Sequence, residues 1–244
     1  MLAIDMLPGG HGDALILEYG LKADIRRLLI DGGTAHSWET GVRPALLQKL
    51  PARRLEAFVV THIDEDHIGG SLRILVDPDL RHLIDTVWFN GYKHCDPDYR
   101  DDVLGPVDGE RLTSKIVDGG FRWNSGFPNP VQDGVGGAAV IPDSSALPAV
   151  ELPGGAVLRL LSPTQPKLTS LAKEWRKVVV KAGLKPGEGT SLEGRPPPRH
   201  APAAEPLPPG SRGAGGGSTP ASPARANPNS SHPDTRERRW TRFL

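Results

Sequence analysis

The supply of large apolar side chains stops near residue 185, and that break bounds what the chain can fold into. Before it, Leu, Ile, Val and Phe recur throughout. Beyond it, runs such as RPPPRHAPAAEPLPPG and SRGAGGGSTPASPARANPNSSHP hold almost none. A segment of that kind cannot bury enough apolar surface to offset the entropy of ordering it. The expectation is one folded domain over 1–185 and a disordered Pro/Gly/Ser-rich tail over 186–244. The tail's end, RERRWTRFL, is basic with two aromatics; a solvated terminus is the favoured reading and a docking peptide the alternative. The tail also accounts for an apolar fraction of only 37%, low for a wholly globular chain.

Within the folded part, strand and helix patterns alternate. MLAIDML and ALILEYG read as a hairpin around the turn PGGHGD, and RRLLIDGG (26–33) as a third strand stopped by Gly32-Gly33. GVRPALLQKL (41–50) has helical spacing, with Leu46, Leu47 and Leu50 on one side. LEAFVVTH (55–62) suits a buried strand, GGSLRILV the start of a helix, and IDTVWFNG (84–91) another strand. Residues 92–150 are rich in Gly, Pro and Asp and read as an irregular insertion in which only GERLTSKIVDGG hints at a helix. AVELPGGAVLRLLSP looks like two strands around a Gly-Gly turn. KLTSLAKEWRKVVVKAGL (167–184) is an amphipathic helix with Leu168, Leu171, Trp175 and Val178 or Val179 on one stripe. This alternation predicts a layered α/β architecture.

Charge and cysteine content narrow the function classes. With 29 basic and 29 acidic residues, nothing points to a nucleic-acid or anionic-membrane partner. Cys95 is the only cysteine, so an internal disulfide is impossible and a reducing, cytoplasmic setting is the simplest expectation. No apolar run nears the ~20 residues that span a bilayer. The N-terminus lacks a basic leader and is broken by Asp5 and Pro8-Gly9-Gly10, which makes it a poor signal peptide.

One stretch concentrates chemistry. In VVTHIDEDHIGG (59–70) two histidines and three carboxylates fall within six residues. Neutral imidazole and ionised carboxylate are both competent ligands for Zn²⁺ or a similar ion. Two ligand atoms on one ion stand only ~3–4 Å apart, whereas residues i and i+2 of a strand stand ~6.6 Å apart. The chain must therefore curl as it leaves the strand. His62 and Asp64 would face one ion, and Asp66 and His67 a second. Gly69 and Gly70 would let the backbone turn into the next helix. The competing structural reading is a solvated loop in which Asp66 caps a helix starting near Ser71; it leaves the two histidines unexplained.

THIDEDHIGG resembles the signature of the metallo-β-lactamase superfamily, usually His-x-His-x-Asp-His followed by Gly, with Asp64 here in place of the second histidine. That replacement is typical of the branch resembling the hydrolase domain of the DNA-uptake protein ComEC, whose opening strands GGHGDALILEYG and LLIDGG are also similar to. The resemblance covers residues 1–90 and extends less specifically to about 184. It implies an αββα sandwich holding one or two metal ions, Zn²⁺ or alternatively Mn²⁺, at one edge. It further implies a metal-bound water that attacks an ester, amide or phosphodiester. Carried over, His62 and Asp64 hold the first ion and Asp66 and His67 the second. Asp66 also orients the water as the catalytic residue, and Asp31, beside Gly32-Gly33, accepts a hydrogen bond behind the ligands. Asp13 is either a similar support or a turn residue.

The same resemblance asks for a later histidine, a bridging aspartate and a final histidine. Of His82, His94, His200 and His232, His94 in FNGYKHCD is the best candidate, and Cys95 reads as a small buried residue. No bridging aspartate stands out, and nothing after Leu184 reads as the strands that would carry one. The second half of the sandwich is therefore expected to be incomplete, through truncation or frameshift or because a partner chain supplies it, with an apolar sheet face left exposed. The sequence supports a metal-dependent hydrolase acting on a small molecule or a phosphodiester, with a phosphate ester the preferred class by analogy and nucleic acid entering only as substrate. A degenerate, non-catalytic remnant or interaction module is the alternative.

Overall fold

The computed structural model describes residues 1–50, 54–95, 107–132, 134–142 and 147–187. The expected tail beyond residue 187, with His200 and His232, lies outside the described residues.

Six strands form one mixed sheet in sequence order: β1 (Leu2–Met6), β2 (Leu15–Leu21), β3 (Asp24–Ile30), β4 (Ala57–Val59), β5 (Thr86–Trp88) and β6 (Arg122–Trp123). β1, β2 and β3 pair antiparallel, as a tight meander must, whereas β3 to β6 pair parallel through helical crossovers. The helices are α1 (Arg43–Lys49), preceded by a π-helical turn at Trp38–Val42, then α2 (Glu65–Ile74), α3 (Tyr92–Cys95), α4 (Val107–Asp118) and α5 (Gln165–Lys181). A hairpin of β7 (Ala149–Leu152) and β8 (Ala156–Arg159) forms a second, two-stranded sheet.

Strand parity divides the core in two. Ile16, Leu29, Phe58, Val60, Val87 and Phe89 point to one face and pack with Leu46 of α1, Ile68 and Ile74 of α2, Leu112 and Ile116 of α4, and Leu168 and Trp175 of α5. Their neighbours Leu28, Ala57 and Trp88 point the other way, against Leu152, Leu160, Phe127 and Ala139. Burial on both faces is what makes β4 and β5 read as unbroken apolar runs. The protein is thus a mixed α/β structure with helices on one side of the sheet and a hairpin on the other.

The hairpin does not reach β1. Leu2, Ile4 and Met6 lie opposite Tyr19, Leu17 and Leu15 on the hairpin side of the sheet, yet stay 70%, 60% and 78% exposed. An apolar strip at one edge of a sheet face is therefore open among the described residues.

Several expectations need correction. Helix α2 begins at Glu65, not near Ser71, so Asp66 and His67 sit in its first turn and Gly69-Gly70 in its middle. The position ahead of α2 is held by Asp64, whose side chain makes no capping hydrogen bond; Asp66 caps nothing. The 92–150 stretch is not simply an irregular insertion, since it supplies α4 and the sixth strand β6. On α1, Leu46 and Leu50 are buried but Leu47 is exposed, and on α5 Val179 rather than Val178 enters the core.

Candidate metal centre

The parallel strands β3 and β4 and helix α2 deliver the site, as parallel sheets commonly do at the carboxyl ends of their strands. Asp31 follows β3, Thr61 and His62 follow β4, and Asp64 to His67 enter α2. Three backbone segments then lock together. Gly32 N–H donates to His67 O (3.1 Å), Gly70 N–H to Gly33 O (2.9 Å), and Gly33 N–H to Asp13 O (2.8 Å). The approach is so close that a Cβ on Gly70 would stand 1.9 Å from Gly32 O, and one on Gly12 1.5 Å from Asp66 O. The glycines are there for contact between the helix and the strand end, not to turn the chain into the helix.

Asp31 is the anchor. Its backbone sits at φ 56°, a left-handed conformation that is strained for a residue with a Cβ and recurs at functional sites. Its buried carboxylate accepts the Thr61 N–H (2.7 Å), the Thr61 Oγ1 hydroxyl (2.5 Å) and His67 Nδ1 (3.0 Å). A carboxylate only accepts, so His67 Nδ1 carries a hydrogen. Thr61 has one hydroxyl proton; with that given to Asp31, Oγ1 accepts from His62 Nδ1 at 2.7 Å. The network therefore assigns both imidazoles the Nδ1–H form and leaves both Nε2 lone pairs outward.

Each Nε2 meets a carboxylate. His62 Nε2 lies 3.7 Å from Asp64 Oδ2 and His67 Nε2 3.6 Å from Asp66 Oδ2. Two atoms each about 2.0–2.2 Å from one zinc stand at such separations. The two rings lie with centroids 3.8 Å apart. The residues expected to pair from the sequence, His62 with Asp64 and Asp66 with His67, each stand within 4 Å of one another. Asp31, His62 and His67 also lie close enough for one ion, with ligand atoms within 4.8 Å of one another. In that triad Asp31 already accepts three hydrogen bonds, whereas the Nε2 atoms face Asp64 and Asp66.

Electrostatics separate the histidines. Burial, then the neighbouring His67, holds His62 below its usual pKa against the pull of Asp31, Asp64 and Asp66. Burial also works against protonation of His67, but the Asp31 hydrogen bond and the charges of Asp31, Asp66 and Asp13 outweigh it and raise the pKa. Asp64 is raised by burial and by Asp66, with the histidines opposing.

The remaining candidates fall elsewhere. Asp13 is mostly exposed, with an oxygen 4.0 Å from His67 Nδ1. His82 is exposed in a single 3₁₀ turn. His94 is buried against Trp123 at 4.7 Å and lines a separate cavity of about 600 Å³ beside Lys93; it belongs to no metal-type group among the described residues. Cys95 is fully buried, its Sγ 3.8 Å from Asn90 O. Thr61, which joins the His62 imidazole to Asp31 while His67 bonds Asp31 directly, escaped the sequence reading; its only signal was its place between the apolar strand and His62. No protein-family model matches this chain, and no curated protein matches it. Among the described residues no helix is long and apolar enough to cross a membrane.

Proposed function

We propose that the chain is a metal-dependent hydrolase of metallo-β-lactamase type, a reading that the two Nε2–carboxylate pairs braced by Asp31 support best. His62 with Asp64 and His67 with Asp66 would hold about one to two Zn²⁺ or Mn²⁺ ions. Bound there, the metal would polarise the scissile group and make a water nucleophilic near neutral pH. Asp31 fixes the ring planes through Thr61 and His67, so the ligand atoms are placed before the ion arrives. Asp66, in the first turn of α2, would orient the attacking water. The αββα sandwich belongs to the same proposal, with the β7–β8 hairpin as the counterpart of the second sheet and a partner chain as one way to complete it. A non-catalytic remnant is the second reading; it is favoured by there being no third histidine at the cluster among the described residues.

The test is metal content of the purified chain, unchanged and with His62→Ala or Asp66→Ala, beside hydrolysis of an activated carboxylic ester and an activated phosphodiester. The hydrolase reading expects bound Zn²⁺ or Mn²⁺ that each substitution depletes, together with metal-dependent turnover. Metal content indifferent to His62→Ala would sink it. Bound metal without turnover of any ester would leave the remnant.

A further inference from the structure

Beside the His62–Asp64 edge of the site opens a cavity of about 350 Å³, within the size range of small-molecule pockets. It lies at the carboxyl ends of β4 and β5, where Val59 and Val60 run into Thr61 and His62, and Trp88 into Phe89 and Asn90. Its walls are aromatic and aliphatic: Trp88, Phe127, Leu158, Leu171 and Trp175. Among the described residues Arg159 is the only lysine or arginine in its lining. Of the cluster's acidic groups Asp64 lines this cavity, while Asp31, Asp66 and Asp13 do not, and an ion held there would offset their charge. A diester phosphate entering here would lay its charge against an apolar wall with one guanidinium beside it, leaving any clamp on its oxygens to the ion alone. A neutral carbonyl tethered to an apolar chain has neither difficulty.

We propose that this cavity binds the apolar acyl group of a neutral carboxylic ester and presents its carbonyl carbon at the His62–Asp64 edge. The assignment rests on the hydrolase reading above and specifies its substrate. In the reaction, the water oxygen bonds to the acyl carbon and the bond from that carbon to the leaving alcohol oxygen breaks. One water proton ends on the departing oxygen, giving carboxylic acid and alcohol. Trp88 and Trp175 exclude solvent from the chain, and its fit to the cavity sets the preference for acyl length.

Binding and turnover test this separately. Metal-free protein is titrated by calorimetry with 2-hexanone, 2-octanone and 2-decanone, uncharged ketones that carry the carbonyl and the chain but cannot be hydrolysed. Affinity should rise about fourfold per methylene until the cavity is full. Leu161→Asp, at a 75% exposed position on the cavity lining, should flatten that series without endangering the core, and Leu171→Trp should shorten the longest chain accepted. Metal-loaded protein should cleave 4-nitrophenyl octanoate faster than the acetate, and either faster than bis(4-nitrophenyl) phosphate. Ketone binding that is absent or indifferent to length overturns the pocket even if esters are hydrolysed. Length-dependent binding with no ester turnover overturns the hydrolase reading, and the substrate assignment with it. Preference for the phosphodiester overturns the substrate class alone.

Discussion

Replacing Gly70 with alanine separates helix propensity from tertiary packing, because the two predict opposite signs. Gly70 lies inside α2, and on an exposed helix Gly→Ala would stabilise by about 1 kcal/mol. Here the new methyl would stand 1.9 Å from Gly32 O and 2.6 Å from Gly32 C. Ordinary contact would require the helix and the 31–33 strand end to part by more than an ångström. That separation breaks the hydrogen bonds from Gly70 N–H to Gly33 O and from Gly32 N–H to His67 O, at about 1 kcal/mol each. Overpacking adds about 1–3 kcal/mol. Set against the propensity gain, the net cost is about 2–4 kcal/mol, a fall in thermal midpoint of roughly 5–15 °C for a domain of this size. Gly120→Ala serves as the control: unlike Gly70 it has positive φ, 66°, but nothing among the described residues lies within 4 Å of its Cβ position, so only about 1 kcal/mol of backbone strain is at stake. Thermal and urea unfolding of the three proteins decides the matter. A Gly70→Ala protein as stable as its parent would refute the close-contact account, and with it the reason given for the glycines around the site. Displacing α2 also shifts His67, so metal uptake should fall in step with stability.

Three further outcomes follow from particular side chains. Neither ring nitrogen of His94 makes a hydrogen bond among the described residues, and burial, then Lys93, pushes its pKa down to about 3. The unfolded chain takes up that proton near pH ~6.5, so the stabilising contribution of a neutral His94 is complete above that pH and is lost as pH falls toward 3, at up to ~1.4 kcal/mol per unit; His94→Leu should flatten urea-measured stability between pH 6 and 4 relative to the parent. Asp31→Asn turns one acceptor oxygen into a donor facing donors, and calorimetric Zn²⁺ affinity should drop about 10–100-fold with the sheet intact by circular dichroism. Thr61→Val keeps the shape but removes both the hydroxyl on Asp31 and the acceptor for His62 Nδ1; an affinity loss near tenfold is expected, and unchanged affinity would show that the tautomer does not depend on Thr61.

The sheet was readable because burial on one or both faces writes itself into periodicity. β1, β4, β5 and the β7–β8 hairpin fall within the ranges their apolar patterns mark, while β2, β3 and α5 overlap theirs and run one or two residues beyond them. β6 was not readable, since Arg122–Trp123 is two residues long and no pattern exists at that length. The start of α2 was misplaced for a specific reason. Its first turn is Glu-Asp-His and its centre Gly-Gly, which local propensity reads as loop and breaker, while the gain from seating the helix against Gly32 appears only in three dimensions. The paired spacing of His62, Asp64, Asp66 and His67 was visible in the sequence; the left-handed backbone of Asp31 and the bridging by Thr61 were not, because neither leaves a local signature. Exposure of an apolar face, expected from a missing second half, is seen among the described residues as the β1 strip Leu2, Ile4 and Met6. Much of the remaining face is covered by the β7–β8 hairpin together with Phe127 and Ala139.

The two imidazoles also fix how stability and metal binding should respond to pH, with opposite signs. His67 has a folded pKa raised above its unfolded value, so its contribution to metal-free stability is fully present below about pH 6.5 and is lost as pH rises through the raised value. Metal uptake needs that same proton gone and therefore strengthens over the window in which the metal-free protein loses His67's support. His62, held below its usual pKa, is already neutral there and adds little to either slope. Because Asp31, Thr61 and both Nδ1 atoms satisfy one another without an ion, the chelated protein should still unfold cooperatively, unlike a small zinc-stapled fold. Thermal midpoints with chelator and with saturating Zn²⁺, taken at pH 6, 7 and 8, should therefore diverge as pH rises, by up to ~1.4 kcal/mol per unit while His67 titrates. A gap that stays constant or narrows toward pH 8 would mean that His67 gives up no proton to the metal, and the pairing of its Nε2 with Asp66 would have to be abandoned.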